Sequence, residues 1–130
     1  MKQEEFDRYW KQATHTLESA VRDSEAGDFS WACFKAQQAA EFALKGWIRA
    51  EWKYVTGHSV YSLALELEVH LEIAEEIKKC SIDLDKVYIP SRYPDAFDAG
   101  APMEYFGKED ADKHIDCARR ILDFIKTRTG

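Results

Sequence analysis

The sequence predicts an all-α fold, an antiparallel up-and-down bundle of four long helices plus one short helix. Apolar residues recur at three- and four-residue steps along most of the 130-residue chain, and no stretch alternates apolar and polar residues as a half-buried strand would. One segment, Phe29 to Tyr54, is apolar around most of its circumference, which is typical of a helix enclosed by others. With 45% hydrophobic residues, the chain is predicted to form a single domain over residues 1–130.

The first predicted helix runs from about Gln3 to Glu25 and has one apolar face. Gly27 can take the left-handed conformation that ends a helix, and Asp28 can cap the next helix by accepting a backbone N–H bond. The first two helices are therefore predicted to form a tight hairpin. The apolar face comprises Phe6, Trp10, Ala13, Leu17, Ala20 and Val21.

The second predicted helix is central and carries a narrow polar ridge. Glu41 precedes Lys45 in the favourable i, i+4 order for an ion pair. The whole ridge consists of Gln38, Glu41, Lys45 and Arg49. It is either a solvated edge or a polar seam inside the bundle that binds phosphate or orients another side chain.

Three further helices follow. Ser59 can start a short third helix that reaches Leu67, and a turn is predicted at residues 69–71. The fourth helix is predicted from Ile73 until Pro90, because proline disfavours helix at the residue before it. The last begins near Glu109 and ends at the C-terminus, after a proline-rich loop over residues 89–107 that is long enough to suggest a functional or lid-like role.

Charge and cysteine content restrict the function. The net charge of −6 argues against non-specific nucleic-acid binding through the bulk surface, because that affinity comes mainly from Lys and Arg. The three cysteines, Cys33, Cys80 and Cys117, show neither CxxC pairs nor metal-ligand spacing, which predicts reduced thiols in the core of a cytoplasmic protein. No segment has the apolar length of a membrane span, and neither a metal nor a cofactor is predicted.

Several short motifs occur in a familiar order. Ala36-x-Gln38-Ala-x-Glu41-x-Ala-Leu44-Lys45 lies in the central helix, Gly57-His58-Ser59 precedes the short helix, and Tyr88-x-Pro-x-Arg92-Tyr-Pro-Asp95 opens the long loop. Together with Trp10 in the first helix and Ala111 and Ala118 in the last, they resemble the HEPN family over roughly residues 6–125. The family name records occurrence in higher eukaryotes and prokaryotes and a proposed nucleotide-binding role.

The resemblance implies a helical bundle, often a homodimer, frequently encoded beside a minimal nucleotidyltransferase. Many members are RNases, and several are toxins whose nucleotidyltransferase partner is the antitoxin. The RNase branch carries Arg, four to six residues, then His near the start of the last long helix. After Arg92 those positions hold Phe97, Asp98 and Ala99, so the nuclease pair is absent from its expected place.

The strongest candidate binding residues are Arg92, Tyr93 and Asp95. Arg92 can hold a phosphate while Tyr93 stacks on a base. Alternatively, Arg92 and Asp95 fix the loop to the bundle by hydrogen bonds while Tyr93 fills its base. His58 is predicted to bond local backbone at the start of the third helix.

Three functions remain open. The leading hypothesis is a cytoplasmic, homodimeric module that binds a nucleotide or RNA through Arg92, Tyr93, Asp95 and the ridge Gln38, Glu41 and Lys45, or that pairs with a nucleotidyltransferase, without being an efficient nuclease. The second is a divergent metal-independent RNase that uses His114 with Arg92 or Arg119 across a dimer interface. A non-catalytic protein-binding scaffold is the third.

Overall fold

The computed structural model describes residues 1–130 and contains six α-helices and no strand. The helices are α1 (Gln3–Glu25), α2 (Phe29–Glu51), α3 (Val60–Glu68), α4 (Glu75–Lys86), α5 (Pro102–Tyr105) and α6 (Lys108–Thr129), with a 3₁₀ turn at Pro94–Ala96. The predicted all-α bundle is confirmed. No helix is both long and apolar enough to cross a membrane.

The central position of α2 is also confirmed. It contacts every other α-helix, most extensively α1 and then α6. Its small residues Ala32, Ala36, Ala39, Ala40 and Ala43 are all 1% exposed or less, so neighbouring helices approach its backbone closely. The larger core side chains Leu44, Trp47 and Ile48 fill the space beyond them.

Local sequence signals account for most helix ends. Gly27 has φ +85°, the left-handed conformation expected between α1 and α2. The Ser59 side chain accepts the Ser62 N–H at 3.0 Å and caps α3, as predicted. The Asp28 side chain makes no capping bond, so that prediction is wrong. At α6 the Asp110 side chain accepts the N–H of Gly107 at 2.8 Å.

The fourth helix is shorter than predicted. It ends at Lys86, and residues 87–92 form successive turns in which the N–H of Val87 bonds to Leu84 and that of Arg92 bonds to Ile89. These tighter bonds turn the chain on both sides of Pro90 and direct the following segment back toward α2. The long loop is thus ordered by turns, the 3₁₀ turn and α5.

Two cysteines differ from the prediction. Cys80 on α4 and Cys117 on α6 form a disulfide with a Cα–Cα distance of 5.1 Å, so the expectation that all three cysteines are separate thiols is wrong for this pair. They are 37 residues apart, and only the packing of α4 on α6 brings them together. Cys33 remains a buried free thiol, as predicted.

Candidate functional site

The polar ridge of α2 is largely buried. Glu41 is 2% exposed and Lys45 is 8% exposed, and the Lys45 Nζ lies 3.0 Å from Glu41 Oε2. Gln38 Nε2 donates to Glu41 Oε1 at 3.1 Å. These three side chains therefore form a bonded seam within the bundle rather than a solvated edge.

His58 contacts this seam from the segment before α3. Its Nδ1 lies 3.3 Å from each carboxylate oxygen of Glu41, while its side chain is 64% exposed. Because a carboxylate only accepts hydrogen bonds, the Nδ1 atom of His58 carries the hydrogen that bonds Glu41. The other ring nitrogen, Nε2, bonds no protein atom. The prediction that His58 bonds local backbone is wrong, since Ser59 provides the cap instead.

Two helices fix the backbone at His58. Gln37 on α2 donates its Nε2 hydrogen to the His58 carbonyl at 2.7 Å. Asp85 on α4 accepts the Ser59 hydroxyl at 2.7 Å and the N–H of Val60 at 2.8 Å and of Tyr61 at 3.0 Å. The imidazole is therefore held by its ring nitrogen and by its backbone.

Arg92 lies among three aromatic rings. Its Cζ is 4.1 Å from the ring centroid of Phe34, 4.6 Å from that of Tyr88 and 4.8 Å from that of Tyr93. Its Nε donates to the Tyr88 carbonyl at 3.0 Å, and no carboxylate lies within ion-pair distance. Cation–π contacts thus hold a half-buried guanidinium whose charge no acidic group neutralises.

Tyr88 connects Arg92 with His58. The His58 and Tyr88 rings stack at 5.6 Å between centroids with an interplanar angle of 18°. Because Arg92 Cζ is 4.6 Å from the same Tyr88 centroid, the two distances sum to an upper limit of 10.2 Å between the His58 centroid and Arg92 Cζ. We call Phe34, His58, Tyr88, Arg92 and Tyr93 the His58–Arg92 surface.

The remaining predicted loop residues are exposed. Tyr93 is 48% exposed, and the Asp95 side chain is exposed and makes no hydrogen bond. Neither residue fixes the loop in the way that the alternative interpretation required. The loop is instead anchored to α2 by the packing of Arg92 on Phe34.

Lys45 is not part of the same site as Arg92. It lies eleven residues beyond Phe34 on α2, which is about 16 Å along the helix axis at 1.5 Å per residue. None of the main surface cavities is lined by His58, Tyr88 or Arg92, so these residues lie on an open surface. The structure brings Gln38, Glu41 and Lys45 together, and it joins them to Arg92 only through His58 and Tyr88.

Comparison with known proteins identifies the fold. The sequence matches the HEPN domain family model over residues 6–128. The chain belongs to the HEPN domain family. The predicted resemblance is confirmed.

Solved structures support the same assignment for this HEPN domain. TT1696 from Thermus thermophilus is 38% identical with a TM-score of 0.92, and the alignment covers 98% of each chain. ST0689, described as an archaeal HEPN homologue, is 38% identical with a TM-score of 0.81 over 96% of this chain and 98% of that one. The HEPN domain protein TM0613 from Thermotoga maritima is 30% identical with a TM-score of 0.76 over 94% and 97%. No curated protein sequence matches.

The weaker candidates in this HEPN domain do not form a site within the chain. His114 is 6% exposed, and its Nδ1 donates to the Asp110 carbonyl at 2.6 Å and lies 3.8 Å from Cys33 Sγ. Arg119 is exposed along a groove between α1 and α6. Burial, and secondarily the charge of Asp110, raise the pKa of the Cys33 thiol to about 12, so this buried region holds a neutral thiol rather than a nucleophile.

Phe34 is not among the residues predicted for the site, and His58 contacts Glu41 rather than the local backbone predicted for it. Phe34 is indistinguishable in sequence from its apolar neighbours in α2. The sequence does contain a histidine, in Gly57-His58-Ser59, and a carboxylate on the ridge, Glu41, that could pair. These two residues are 17 positions apart, and only the turn after α2 brings them into contact. No group of three or more His, Cys, Asp or Glu side chains is arranged to hold a metal ion.

Proposed function

We propose that the chain is a single HEPN domain that binds the phosphate of a nucleotide through Arg92 and stacks the base on Tyr93. The observation that carries this proposal is the guanidinium held against three aromatic rings without a carboxylate partner. Most charged side chains near a protein interior are paired, because an unpaired buried charge is costly. An arginine kept free and rigid is suited to an anion from outside the chain.

The geometry suits the phosphate and base of a nucleotide. Arginine has five N–H donors, and in Arg92 only Nε makes a close hydrogen bond. Nη1 lies 3.5 Å from the Tyr93 hydroxyl oxygen, which is a long contact. The outer edge of the guanidinium is thus able to donate two parallel bonds to phosphate oxygens. The half-exposed Tyr93 ring beside it offers a stacking surface for any base.

The same proposal includes the biological setting that the family suggests. We propose a cytoplasmic homodimer in a two-gene, toxin–antitoxin-like system with a small nucleotidyltransferase as partner. Asp95, which is exposed in the 3₁₀ turn, is then available to the ligand or the partner rather than to the loop. The ridge Gln38, Glu41 and Lys45 supports the site from within by fixing His58.

The proposed module is not an efficient nuclease. Residues 97–99 supply no histidine after Arg92, and the His114 of the alternative RNase is buried against Cys33 and Asp110. General acid–base catalysis needs an imidazole within hydrogen-bond reach of the reacting group. This burial argues against the RNase that pairs His114 with Arg92 or Arg119.

Calorimetric titration with ATP tests the binding site. We expect Arg92→Gln to weaken ATP binding about tenfold or more, because a charged hydrogen bond contributes about 1.5–3 kcal/mol. Arg119→Gln is the matched control: it removes an exposed arginine on α6 and is expected to leave the affinity unchanged.

Two outcomes would overturn the proposal. Absence of binding at millimolar nucleotide leaves the protein-binding scaffold as the better hypothesis. The second outcome is RNA cleavage by the same preparation. If this cleavage persists after metal ions are removed and is lost in His114→Ala, the RNase is the better hypothesis.

A further inference from the structure

His58 is held in place but exposes its outer edge, and the binding of phosphate by Arg92 alone does not explain this. Its Nδ1 faces the buried carboxylate of Glu41, its ring stacks on Tyr88, and its carbonyl is bonded by Gln37. An imidazole whose Nδ1–H is bound by a carboxylate has a fixed orientation and tautomer. The nitrogen that remains free, Nε2, belongs to a side chain that is 64% exposed.

The charges around His58 come from three parts of the chain. On α2, the Glu41 carboxylate faces Nδ1 of His58, and Lys45 lies behind it, bonded to the same carboxylate. On α4, the Asp85 carboxylate is occupied by Ser59 and two backbone N–H groups. After α4, Arg92 lies on Tyr88, the ring on which His58 stacks.

We propose that His58 is a second phosphate-binding residue of the site, with Glu41 as its positioning residue. This proposal rests on the proposed function and specifies its ligand: a nucleotide phosphate ester that contacts Arg92 and the protonated Nε2 of His58 together. Both groups contact the Tyr88 ring, and the His58 ring centroid is at most 10.2 Å from Arg92 Cζ, so one bound nucleotide can reach both. Binding is then tighter at acidic pH, because the imidazolium donates a bond that neutral imidazole cannot.

The test measures affinity against pH with probes whose phosphates do not titrate. An oligothymidylate and cyclic AMP, each labelled with a rhodamine whose charge and emission do not change across the range used, both carry phosphodiesters that keep one negative charge per phosphate. Comparing the two probes distinguishes a polynucleotide from a mononucleotide ligand. Fluorescence anisotropy at constant ionic strength is expected to show about three- to fivefold tighter binding at about pH 5.5 than at about pH 8, in line with one additional exposed ion pair.

His58→Asn is the decisive variant. The asparagine amide can still donate toward Glu41 but cannot become charged, so the affinity should match that of the wild type at about pH 8 and stay constant on acidification. His15→Asn is the matched control, because it removes an exposed histidine from α1 and should preserve the pH response. Circular dichroism of each variant checks that the bundle remains folded.

The results separate this inference from the proposed function. If the wild type binds with an affinity that does not change with pH, or if His58→Asn responds to pH as the wild type does, His58 is not a phosphate-binding residue and Arg92 acts alone. If neither probe binds at any pH, the proposed nucleotide site itself fails. Preference for one probe identifies the source of the phosphate.

Discussion

At the scale of single residues, the bonded pair Glu41–Lys45 is the most consequential polar feature. Both side chains are at least nine-tenths buried, so removing one partner leaves an uncompensated charge. We expect Glu41→Gln and Lys45→Met each to lower the free energy of unfolding, by about 3–5 kcal/mol for a buried pair. Glu41→Gln should cost more, because Gln38 and His58 also bond this carboxylate. Urea unfolding measures both changes.

The double variant and an exposed pair provide the controls. Glu41→Gln with Lys45→Met removes both charges, and its loss should be much smaller than the sum of the single losses. Lys108→Met breaks an ion pair with the same i, i+4 spacing whose side chains are 73% and 56% exposed, and it should cost less than about 1 kcal/mol. Equal losses at Lys45 and Lys108 would show that burial does not control the strength of these pairs.

Helical spacing in the sequence predicted which side chains form the seam, but not which distant residues contact the predicted site residues. Gln38, Glu41 and Lys45 were found because helical spacing places them on one face, which is local information. Arg92 was found through its position between prolines. The contacts of His58 with Glu41 and of Arg92 with Phe34 cross between distant parts of the chain, and no local pattern specifies them.

At the scale of helices, the packing of α1 on α2 depends on Gly46. A Cβ atom added there would lie 2.2 Å from Tyr9 Cβ and 2.8 Å from Tyr9 Cγ, which requires the helices to move apart. Alanine favours an isolated helix by about 1 kcal/mol relative to glycine. We nevertheless expect Gly46→Ala to destabilise the protein, because overpacking typically costs about 1–3 kcal/mol and here involves atoms close to both backbones.

Thermal and urea unfolding of Gly46→Ala measure this effect. Gly107→Ala is the control: an added Cβ there meets no atom within 4 Å, and φ is −119°, so the change in stability should stay below about 1 kcal/mol. A Gly46→Ala variant more stable than the wild type would mean that α1 adjusts without cost.

Helix positions were more predictable than helix ends. The bounds of α1 and the start of α2 follow from apolar periodicity and Gly27, and the start of α3 follows from Ser59. The end of α4 was placed too late, because its apolar spacing continues through Val87 and Tyr88 although the chain already turns there. Those turns carry Arg92 toward α2, so the error fell at the segment that forms the site.

At the scale of the whole molecule, the disulfide between Cys80 and Cys117 ties α4 to α6 and encloses the segment that carries Arg92. Closing a loop of this 37-residue separation restricts the unfolded chain and is expected to stabilise the fold by about 3–4 kcal/mol on the chain-entropy model. Reduction with dithiothreitol should therefore lower the urea midpoint of the wild type.

The Cys80→Ala, Cys117→Ala double variant should be less stable and indifferent to reductant, whereas Cys33→Ser should retain the response because its thiol is outside the bridge. A wild-type midpoint that is identical with and without reductant would show that the two thiols are not joined in solution, and the sequence-based prediction of three separate thiols would then hold.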